Sequence, residues 1–300
     1  MDFDVIVIGA GPGGLSAALY CARGGLKTLI LEGAGVGGQV NSTGDIDNYL
    51  GFFGTGAELS EKMREQVEKF GAVFSQEKAA EIRNPASDIK IVRTRRNEYR
   101  ARKIIISTGA NPRKLGAMGE EEFAGAGVSY CATCDGAFFK DKVVTVVGGG
   151  NTAIEDAVYL AKFCKMVYVV HRREKFRANA HIMAKAKANP KISIRTNEVV
   201  EKIQGDRAVK SVVLRHTLSA RIGVLETDAV FVAAGRVPET ALVKDIVKLD
   251  ENGYIVTDEN MRTGVPGIYA VGDVRNTPLR QIVTAAADGA VAANDICAID

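Results

Sequence analysis

The 300-residue sequence contains little proline and few cysteines, and its charges nearly balance. Only 7 prolines and no proline-rich or serine-rich tract argue against a disordered or fibrous chain. A formal net charge of +3 is too small to indicate a nucleic-acid or membrane partner by itself. What the sequence does contain, 32 glycines and 46% hydrophobic residues, predicts a compact α/β protein with tight turns between strands and helices.

Long hydrophobic runs are also missing. No stretch approaches the roughly eighteen uninterrupted apolar residues that a membrane-spanning helix requires. The apolar start of the chain includes Asp2 and Asp4 and lacks the basic region of a secretory leader. We therefore expect a cytoplasmic protein with no membrane partner.

The five cysteines include one close pair, Cys131 and Cys134. This is poor material for a disulfide framework, and in a reducing compartment it predicts one working pair. Two intervening residues suit a reversible disulfide, an inert structural pair or half of a zinc site. Three histidines and isolated remaining cysteines disfavour zinc, so no metal is predicted. Cys21 and Cys164 are expected to be buried on or at the end of helices, and Cys297 is assigned no role.

A strand–turn–helix–strand pattern occurs twice. In the first copy, strand 3–8 leads to the glycine turn 9–14, helix 15–23 and strand 27–31, which ends at Glu32. Such glycines allow a tight turn, close approach of the backbone to a pyrophosphate, and close packing of helix on strand. The helix N-terminus then offers N–H donors to phosphate, and an acid in the place of Glu32 can bind ribose hydroxyls.

The second copy comprises strand 142–147, turn 148–153, helix 154–163 and strand 166–170, followed by His171. The two copies are in register, which makes them far more specific than one glycine motif. Where the first copy ends in Glu32, the second ends in His171 followed by arginines. Guanidinium groups bind phosphate oxygens through paired, charge-assisted hydrogen bonds. The first site therefore suits FAD or NAD and the second NADPH, although a solvated basic turn is the alternative interpretation of 171–177. The residues predicted to hold NADPH are Gly148, Gly150, Asn151, Thr152, Ala153, His171, Arg172, Arg173 and Arg177.

Asp135 directly follows Cys134. A carboxyl group there can exchange protons as thiol and thiolate interconvert. An N-cap of a helix is the compatible alternative, because Asp is favoured at that position. Two dinucleotide sites give the cysteine pair an electron source, so we predict that Cys131, Cys134 and Asp135 form a redox-active centre.

The chain resembles the low-molecular-weight, bacterial-type NADPH-dependent thioredoxin reductases over essentially its whole length. The cysteines precede the second nucleotide unit instead of lying in the first helix, which separates this family from enzymes similar to glutathione reductase. The segments that carry the resemblance are 9–14, 37–39, 131–136, 148–153, 171–177, 267–274 and 280–281.

The resemblance implies two Rossmann-like, three-layer domains, with the NADPH domain inserted in a discontinuous FAD domain. The implied boundaries are 1–112 and 241–300 for the FAD domain and 113–240 for the NADPH domain that carries the cysteines. Asp273 would bond the ribityl chain of the flavin. The implied FAD-binding residues are Gly9, Gly11, Pro12, Gly14, Glu32, Gly38, Gln39, Asn48, Thr108, Gly109, Gly272, Asp273, Arg280 and Gln281.

The activity implied by the resemblance is thioredoxin-disulfide reduction. Cys134 would exchange electrons with the flavin, and Cys131 would attack the disulfide of thioredoxin. The resemblance also implies a homodimer. It further implies two orientations of the domains, one that puts the Cys131–Cys134 disulfide against the flavin and one that brings the nicotinamide there and exposes the thiols. Two positions depart from the family pattern: Glu239 replaces a common Asn, and Ser107 replaces a usual Ala.

Other interpretations remain open at the level of sequence. A ferredoxin-linked reductase would keep the fold but lack the NADPH signature, a dithiol oxidase would pass electrons to oxygen, and a dinucleotide sensor would have no use for the cysteines. The basic stretch 93–103 is interpreted as a solvated hairpin and not as a nucleic-acid site. Phe138 and Phe139 are expected in the core.

Overall fold

The computed structural model describes residues 2–42 and 45–299. The chain divides into two units of dense internal contacts. Unit 1 comprises Met1–Asn111 and Val237–Asp300, and unit 2 comprises Pro112–Arg236. The sequence predicts crossings after residues 112 and 240, whereas the contacts place them after Asn111 and Arg236.

The segment before the first crossing alternates strands and helices, with a short 3-10 helix at Gly38–Ser42. Its elements are β1 (Asp2–Ile8), α1 (Pro12–Arg23), β2 (Thr28–Leu31), β3 (Asp45–Tyr49), β4 (Phe52–Thr55), α2 (Gly56–Lys69), β5 (Val73–Ser75), β6 (Glu81–Arg83), β7 (Lys90–Arg93), β8 (Glu98–Ile106) and β9 (Ala110–Pro112).

The middle segment contains a second alternating series and a 3-10 helix at Gly136–Phe139. Its elements are β10 (Val128–Ser129), α3 (Ala132–Asp135), β11 (Val143–Val147), α4 (Asn151–Leu160), β12 (Met166–His171), α5 (Ala180–Ala188), β13 (Ile192–Thr196), β14 (Glu198–Gly205), β15 (Val209–His216), β16 (Ile222–Glu226) and β17 (Ala229–Val232). The last segment contains β18 (Arg236–Pro238), β19 (Ile268–Ala270), a 3-10 helix at Gly272–Val274, and α6 (Ile282–Ile299).

The main sheet of unit 1 has the order β5-β2-β1-β8-β7-β6, with β19 also pairing with β8. The strands from β5 to β8 and β19 are parallel, and β7 and β6 continue the sheet antiparallel. Val5 and Val7 pack towards α1 and α6, whereas Ile6 and Ile8 pack into the core on the other face. Because both faces are covered, β1 is a nearly continuous apolar run. The pairing of β7 with β8 confirms the predicted hairpin at 93–103.

Helices α1 and α6 lie unusually close together. A Cβ atom added at Gly289 of α6 would be 2.2 Å from the Gly13 carbonyl oxygen of α1, so only glycine permits this approach. Pro12 begins α1, where its missing N–H costs no hydrogen bond. Thr55 and Glu58 form a reciprocal capping box at the start of α2.

Unit 2 contains a parallel sheet in the order β10-β17-β11-β12-β13. Val144, Val146 and Ile154 belong to the core that joins this sheet to α4. The predicted helix 154–163 ends earlier, at Leu160, because the amide N–H of Phe163 bonds to the Leu160 carbonyl in a tighter turn. An antiparallel sheet, β14-β15-β16, was not predicted.

The two parallel sheets with their helices confirm the predicted α/β, Rossmann-like fold class. Cys21 and Cys164 are buried, as expected. The expectation for Phe138 was wrong: its side chain is 51% exposed, whereas Phe139 packs in the core of unit 2. Among the described residues, no helix combines the length and apolarity needed to cross a membrane.

Candidate active site

The glycines of the two nucleotide turns divide into those that allow packing and those that border open space. A Cβ at Gly9 would lie 2.2 Å from the Ser107 carbonyl oxygen, and one at Gly14 would lie 2.0 Å from the Gly9 carbonyl oxygen. A Cβ at Gly11, in contrast, has no atom within 4 Å. Gly9 also has φ = +104°, which favours glycine. Gly11 therefore leaves room at the start of α1, where a pyrophosphate fits.

The second turn has the same division. A Cβ at Gly148 would be 2.4 Å from the Ala233 carbonyl oxygen and 2.7 Å from the Ala153 side chain, which takes the place of a third glycine. A Cβ at Gly150 has no atom within 4 Å. Asn151 and Thr152 begin α4 and are exposed. Two separate backbone turns thus fit a dinucleotide phosphate, one in each unit.

Glu32 directly follows the last residue of β2 in unit 1. Its carboxylate accepts hydrogen bonds from the backbone N–H groups of Ala10 at 2.7 Å, Ala34 at 2.8 Å and Gly35 at 3.3 Å. These contacts hold the acid beside the first glycine turn. A carboxylate has about four acceptor positions, so the group retains capacity for a ribose hydroxyl.

Several predicted FAD-binding residues of unit 1 contact one another or lie beside the first glycine turn. A Cβ at Gly38 would lie 3.5 Å from the Gly11 Cα, and one at Gly109 would lie 3.8 Å from Gln39 Nε2. Gln39 Nε2 donates to the Ala110 carbonyl. The structure also joins Asn48 Nδ2 to Gln281 Oε1 at 3.3 Å and Thr108 Oγ1 to the Glu239 carbonyl at 2.6 Å.

The C-terminal part of unit 1 supplies the remaining predicted flavin contacts. Gly272 has φ = +73° and begins the 3-10 helix that carries Asp273. The guanidinium of Arg280 lies 4.1 Å from the centroid of the Tyr254 ring. Its Nε is buried and has no hydrogen-bond partner within the described chain. An unsatisfied buried donor fits a polar ligand such as the flavin moiety of FAD.

The turn that follows β12 is hydrogen bonded to the second glycine turn. The backbone N–H of Arg177 donates to the Gly149 carbonyl at 2.8 Å, and that of Asn179 donates to Asn151 Oδ1 at 2.8 Å. The buried ring of His171 packs against Gly149. A Cβ atom added at Gly149 would lie 2.1 Å from the nearest atom of that ring. The backbone therefore fixes the arginine turn beside Gly150.

Arg172, Arg173 and Arg177 are exposed, and their guanidiniums have no hydrogen bond or salt bridge within residues 2–42 and 45–299. Burial is the main cause that lowers the pKa of His171, and these arginines lower it further, while a hydrogen bond with the Lys175 carbonyl opposes the shift. Three exposed guanidiniums beside the open space at Gly150 fit the 2′-phosphate of NADPH.

Cys131 and Cys134 form a disulfide in unit 2, with their Cα atoms 5.3 Å apart. Both cysteines are partly exposed at the short helix α3. Cys131 Sγ lies 3.4 Å from Thr133 Oγ1. Asp135 Oδ2 accepts a hydrogen bond of 2.6 Å from the hydroxyl of Ser129. The structure therefore brings together the three residues predicted for redox chemistry.

Two features of these sites were not predicted from the sequence. Ser129 binds both Asp135 and the backbone of Cys131, and its only sequence signal is its position two residues before the cysteine pair. Asp288 accepts a hydrogen bond from the Gly272 N–H at 3.0 Å and pairs with Arg275. Among the described residues, no cluster of three or more His, Cys, Asp or Glu side chains is arranged to hold a metal.

Residues 3–289 match the family model of pyridine nucleotide-disulphide oxidoreductases. The chain is 45% identical to the thioredoxin reductase of Peptoclostridium acidaminophilum over 299 residues, covering 97% of this chain and 95% of the relative. The crystal structure of thioredoxin reductase from Streptococcus pyogenes MGAS5005 superimposes with a TM-score of 0.93, at 44% identity over 98% of this chain and 97% of that chain.

A ferredoxin-flavin thioredoxin reductase from Clostridium acetobutylicum is also similar, with a TM-score of 0.53 and 31% identity over 99% of this chain and 98% of that chain.

Proposed function

Because the chain belongs to the thioredoxin reductases within the pyridine nucleotide-disulphide oxidoreductase family, we propose that it carries electrons from NADPH to the disulfide of a thioredoxin-like protein. The observation that carries the proposal lies within unit 2. A partly exposed Cys131–Cys134 disulfide and a glycine turn flanked by exposed arginines belong to the same unit. A dinucleotide sensor would not require the disulfide, and a structural disulfide would not require the turn.

We assign FAD to unit 1 and NADPH to unit 2. The space at Gly11, the carboxylate of Glu32 and the buried donor of Arg280 would hold FAD. The space at Gly150, with Arg172, Arg173 and Arg177, would hold NADPH. FAD, when bound, supplies a carrier that accepts two electrons from the dinucleotide and releases them to a disulfide.

The residues of the cysteine segment then have separate tasks. Reduction of the disulfide breaks the S–S bond with two electrons, and the two sulfur atoms take up protons. Asp135 is placed to hold or release one of these protons. Cys131 is proposed to attack the disulfide of the partner protein, because a thiolate displaces one sulfur of that disulfide in exchange.

An anaerobic titration of the purified yellow protein tests this function. We expect NADPH to bleach the flavin absorbance, and an oxidised thioredoxin to restore it. Cys131→Ser should block the restoration, whereas Cys297→Ser, which removes an exposed cysteine elsewhere, should not. A colourless protein that takes up no FAD would contradict the proposal.

The same titration separates the rival enzymes. A ferredoxin-linked reductase would be reduced by reduced ferredoxin but by neither NADPH nor NADH. A dithiol oxidase would consume oxygen and release peroxide without thioredoxin. The arginines of unit 2 favour an enzyme that uses NADPH over a ferredoxin-linked reductase or a dithiol oxidase, neither of which would need them.

A cytoplasmic location and a homodimer remain predictions. Sedimentation equilibrium tests the second directly, and we expect twice the 32.0 kDa mass of the chain. A monomer under the conditions of turnover would contradict it.

A further inference from the structure

Ser129 is the buried polar residue closest in sequence to the redox-active pair. Only 5% of its surface is exposed, although it lies directly before a partly exposed segment. It ends β10, and its backbone lies opposite Phe231 of β17, so the strand fixes its position. A buried hydroxyl must find hydrogen-bond partners, since leaving it unsatisfied is costly.

The partners of this hydroxyl are two parts of the redox centre. Ser129 Oγ lies 2.6 Å from Asp135 Oδ2 and accepts a 3.1 Å hydrogen bond from the backbone N–H of Cys131. The Cys131 carbonyl oxygen lies farther away, at 3.3 Å. A serine has one O–H proton, so the shorter contact identifies Asp135 as its acceptor. The side chain therefore ties the acid to the first cysteine.

We propose that Ser129 is a positioning residue of the redox centre, which holds the carboxylate of Asp135 beside the cysteine pair and stabilises its ionised form. The inference rests on the proposed function. Two electrons from NADPH break the S–S bond and leave two thiolates. Asp135 takes up a proton from solvent and passes it to one thiolate, and this transfer returns Asp135 to the anion, the form that accepts the Ser129 O–H while the disulfide is intact. The second thiolate takes its proton from solvent.

A hydrogen bond to the charged form of an acid lowers its pKa, so loss of the Ser129 hydroxyl must raise the pH at which Asp135 titrates. A hydrogen bond to a charged group corresponds to a change of about one pH unit. A serine that only filled space would produce no such change. The titration midpoint of Asp135 is therefore the decisive quantity.

Other titratable groups lie on the elements around this segment. Burial raises the pKa of Asp156 on α4 to about 7, with a further increase from Glu155 and a decrease from Arg236. Burial also raises the pKa of Tyr130, which donates a hydrogen bond to Glu120 at 3.0 Å. The experiment must distinguish the titration of Asp135 from that of the ionisable groups around it, which are Cys131, Cys134, Tyr130, Glu120, Glu155, Asp156, Tyr159 and Arg236.

The test is a carboxyl ¹³C NMR titration of the full-length protein labelled at aspartate. Asp135→Asn identifies the signal of Asp135 by its loss, and Asp156→Asn identifies that of Asp156. We expect Ser129→Ala to raise the midpoint of the Asp135 signal by about one pH unit. Ser129→Thr, which keeps a hydroxyl, should restore the wild-type midpoint.

Thr145→Val is the matched control. It removes another buried hydroxyl of unit 2, which bonds to Thr227 at 3.1 Å and lies on β11. The control should lower the melting temperature as Ser129→Ala does, and leave the Asp135 midpoint unchanged. An unchanged midpoint in Ser129→Ala, or an equal change in Thr145→Val, would overturn the proposal.

Turnover provides the second measurement and separates the two proposals. In the NADPH-driven reduction of a bacterial thioredoxin, the rate should fall at high pH as Asp135 loses its proton, and Ser129→Ala should move this fall to higher pH. Combining Ser129→Ala with Asp135→Asn should give the profile of Asp135→Asn alone. A wild-type protein without turnover refutes the proposed function, whereas turnover with an unmoved NMR midpoint refutes only the role of Ser129.

Discussion

We propose that three arginine side chains decide which nucleotide unit 2 prefers. Arg172, Arg173 and Arg177 are exposed around a turn whose backbone is fixed to Gly149 and Asn151. Because the backbone is already ordered, phosphate binding only has to order the long side chains. Charge-assisted hydrogen bonds to the 2′-phosphate then favour NADPH over NADH.

The double variant Arg172→Ala/Arg173→Ala tests this at the residue scale. We expect the apparent KM for NADPH to rise about 10- to 100-fold, since each charge-assisted contact contributes on the order of 1 kcal/mol at an exposed site. The KM for NADH should change little. Steady-state kinetics with both nucleotides measure the effect.

Arg95→Ala/Arg96→Ala is the matched control, because it removes two exposed arginines from the β7–β8 turn of unit 1. That variant should leave both KM values unchanged. Equal losses with NADPH and NADH in the Arg172/Arg173 variant would mean that these arginines do not recognise the 2′-phosphate.

At the scale of the element, the two glycine turns could be predicted because each glycine has a task readable from its spacing. The structure assigns those tasks to particular atoms: Gly9 and Gly148 pack against backbone carbonyls, and Gly11 and Gly150 border space. The sequence could not show which neighbour each glycine approaches, because the carbonyls of Ser107 and Ala233 belong to distant strands or loops.

Other elements could not be predicted from local sequence. The antiparallel sheet β14-β15-β16 has mostly half-buried residues along β14, so a clear alternation of apolar and polar residues is missing. The role of Ser129 depends on where β10 ends relative to α3, which the spacing of the cysteines does not reveal. The exposure of Phe138 depends on the 3-10 turn that follows α3.

The start of the C-terminal helix is joined to the predicted flavin contacts by a largely buried ion pair. Arg275 Nε lies 2.7 Å from Asp288 Oδ2, and the two side chains are 14% and 11% exposed. The same carboxylate accepts the N–H of Gly272, directly before Asp273. Asp288 thus fixes the 3-10 helix on α6.

We expect Asp288→Asn to weaken both folding and FAD binding. Removing one partner of a buried ion pair costs about 3–5 kcal/mol in the free energy of unfolding, because the other charge stays buried and unpaired. Displacement of the Gly272 turn should raise the dissociation constant for FAD. Thermal unfolding and flavin release on dilution measure the two effects.

Asp295→Asn separates flavin binding from stability. Asp295 lies on the same helix and forms a similar forked pair with Arg262, but it contacts Tyr269 and not the Gly272 turn. It should lower the melting temperature without increasing flavin release. Equal flavin release from both variants would contradict a specific role for Asp288.

At the scale of the whole molecule, the predicted nucleotide contacts separate completely between the two units. Every residue assigned to FAD lies in Met1–Asn111 or Val237–Asp300, and every residue assigned to NADPH lies in Pro112–Arg236. Each unit has its own buried cores on both faces of a parallel sheet. The residues predicted to hold NADPH therefore all belong to unit 2.

This separation predicts that the protein keeps its affinity for NADPH after FAD is removed. We expect the dissociation constant of NADPH, measured by calorimetry on the flavin-free full chain, to stay within about 3-fold of the holoprotein value, because this corresponds to less than 1 kcal/mol. Arg172→Ala/Arg173→Ala should weaken binding equally in both forms, since those side chains act within unit 2. If NADPH binding disappears with the flavin and returns when FAD is restored, the two sites are coupled and the division of contacts between the units does not describe how the protein binds its nucleotides.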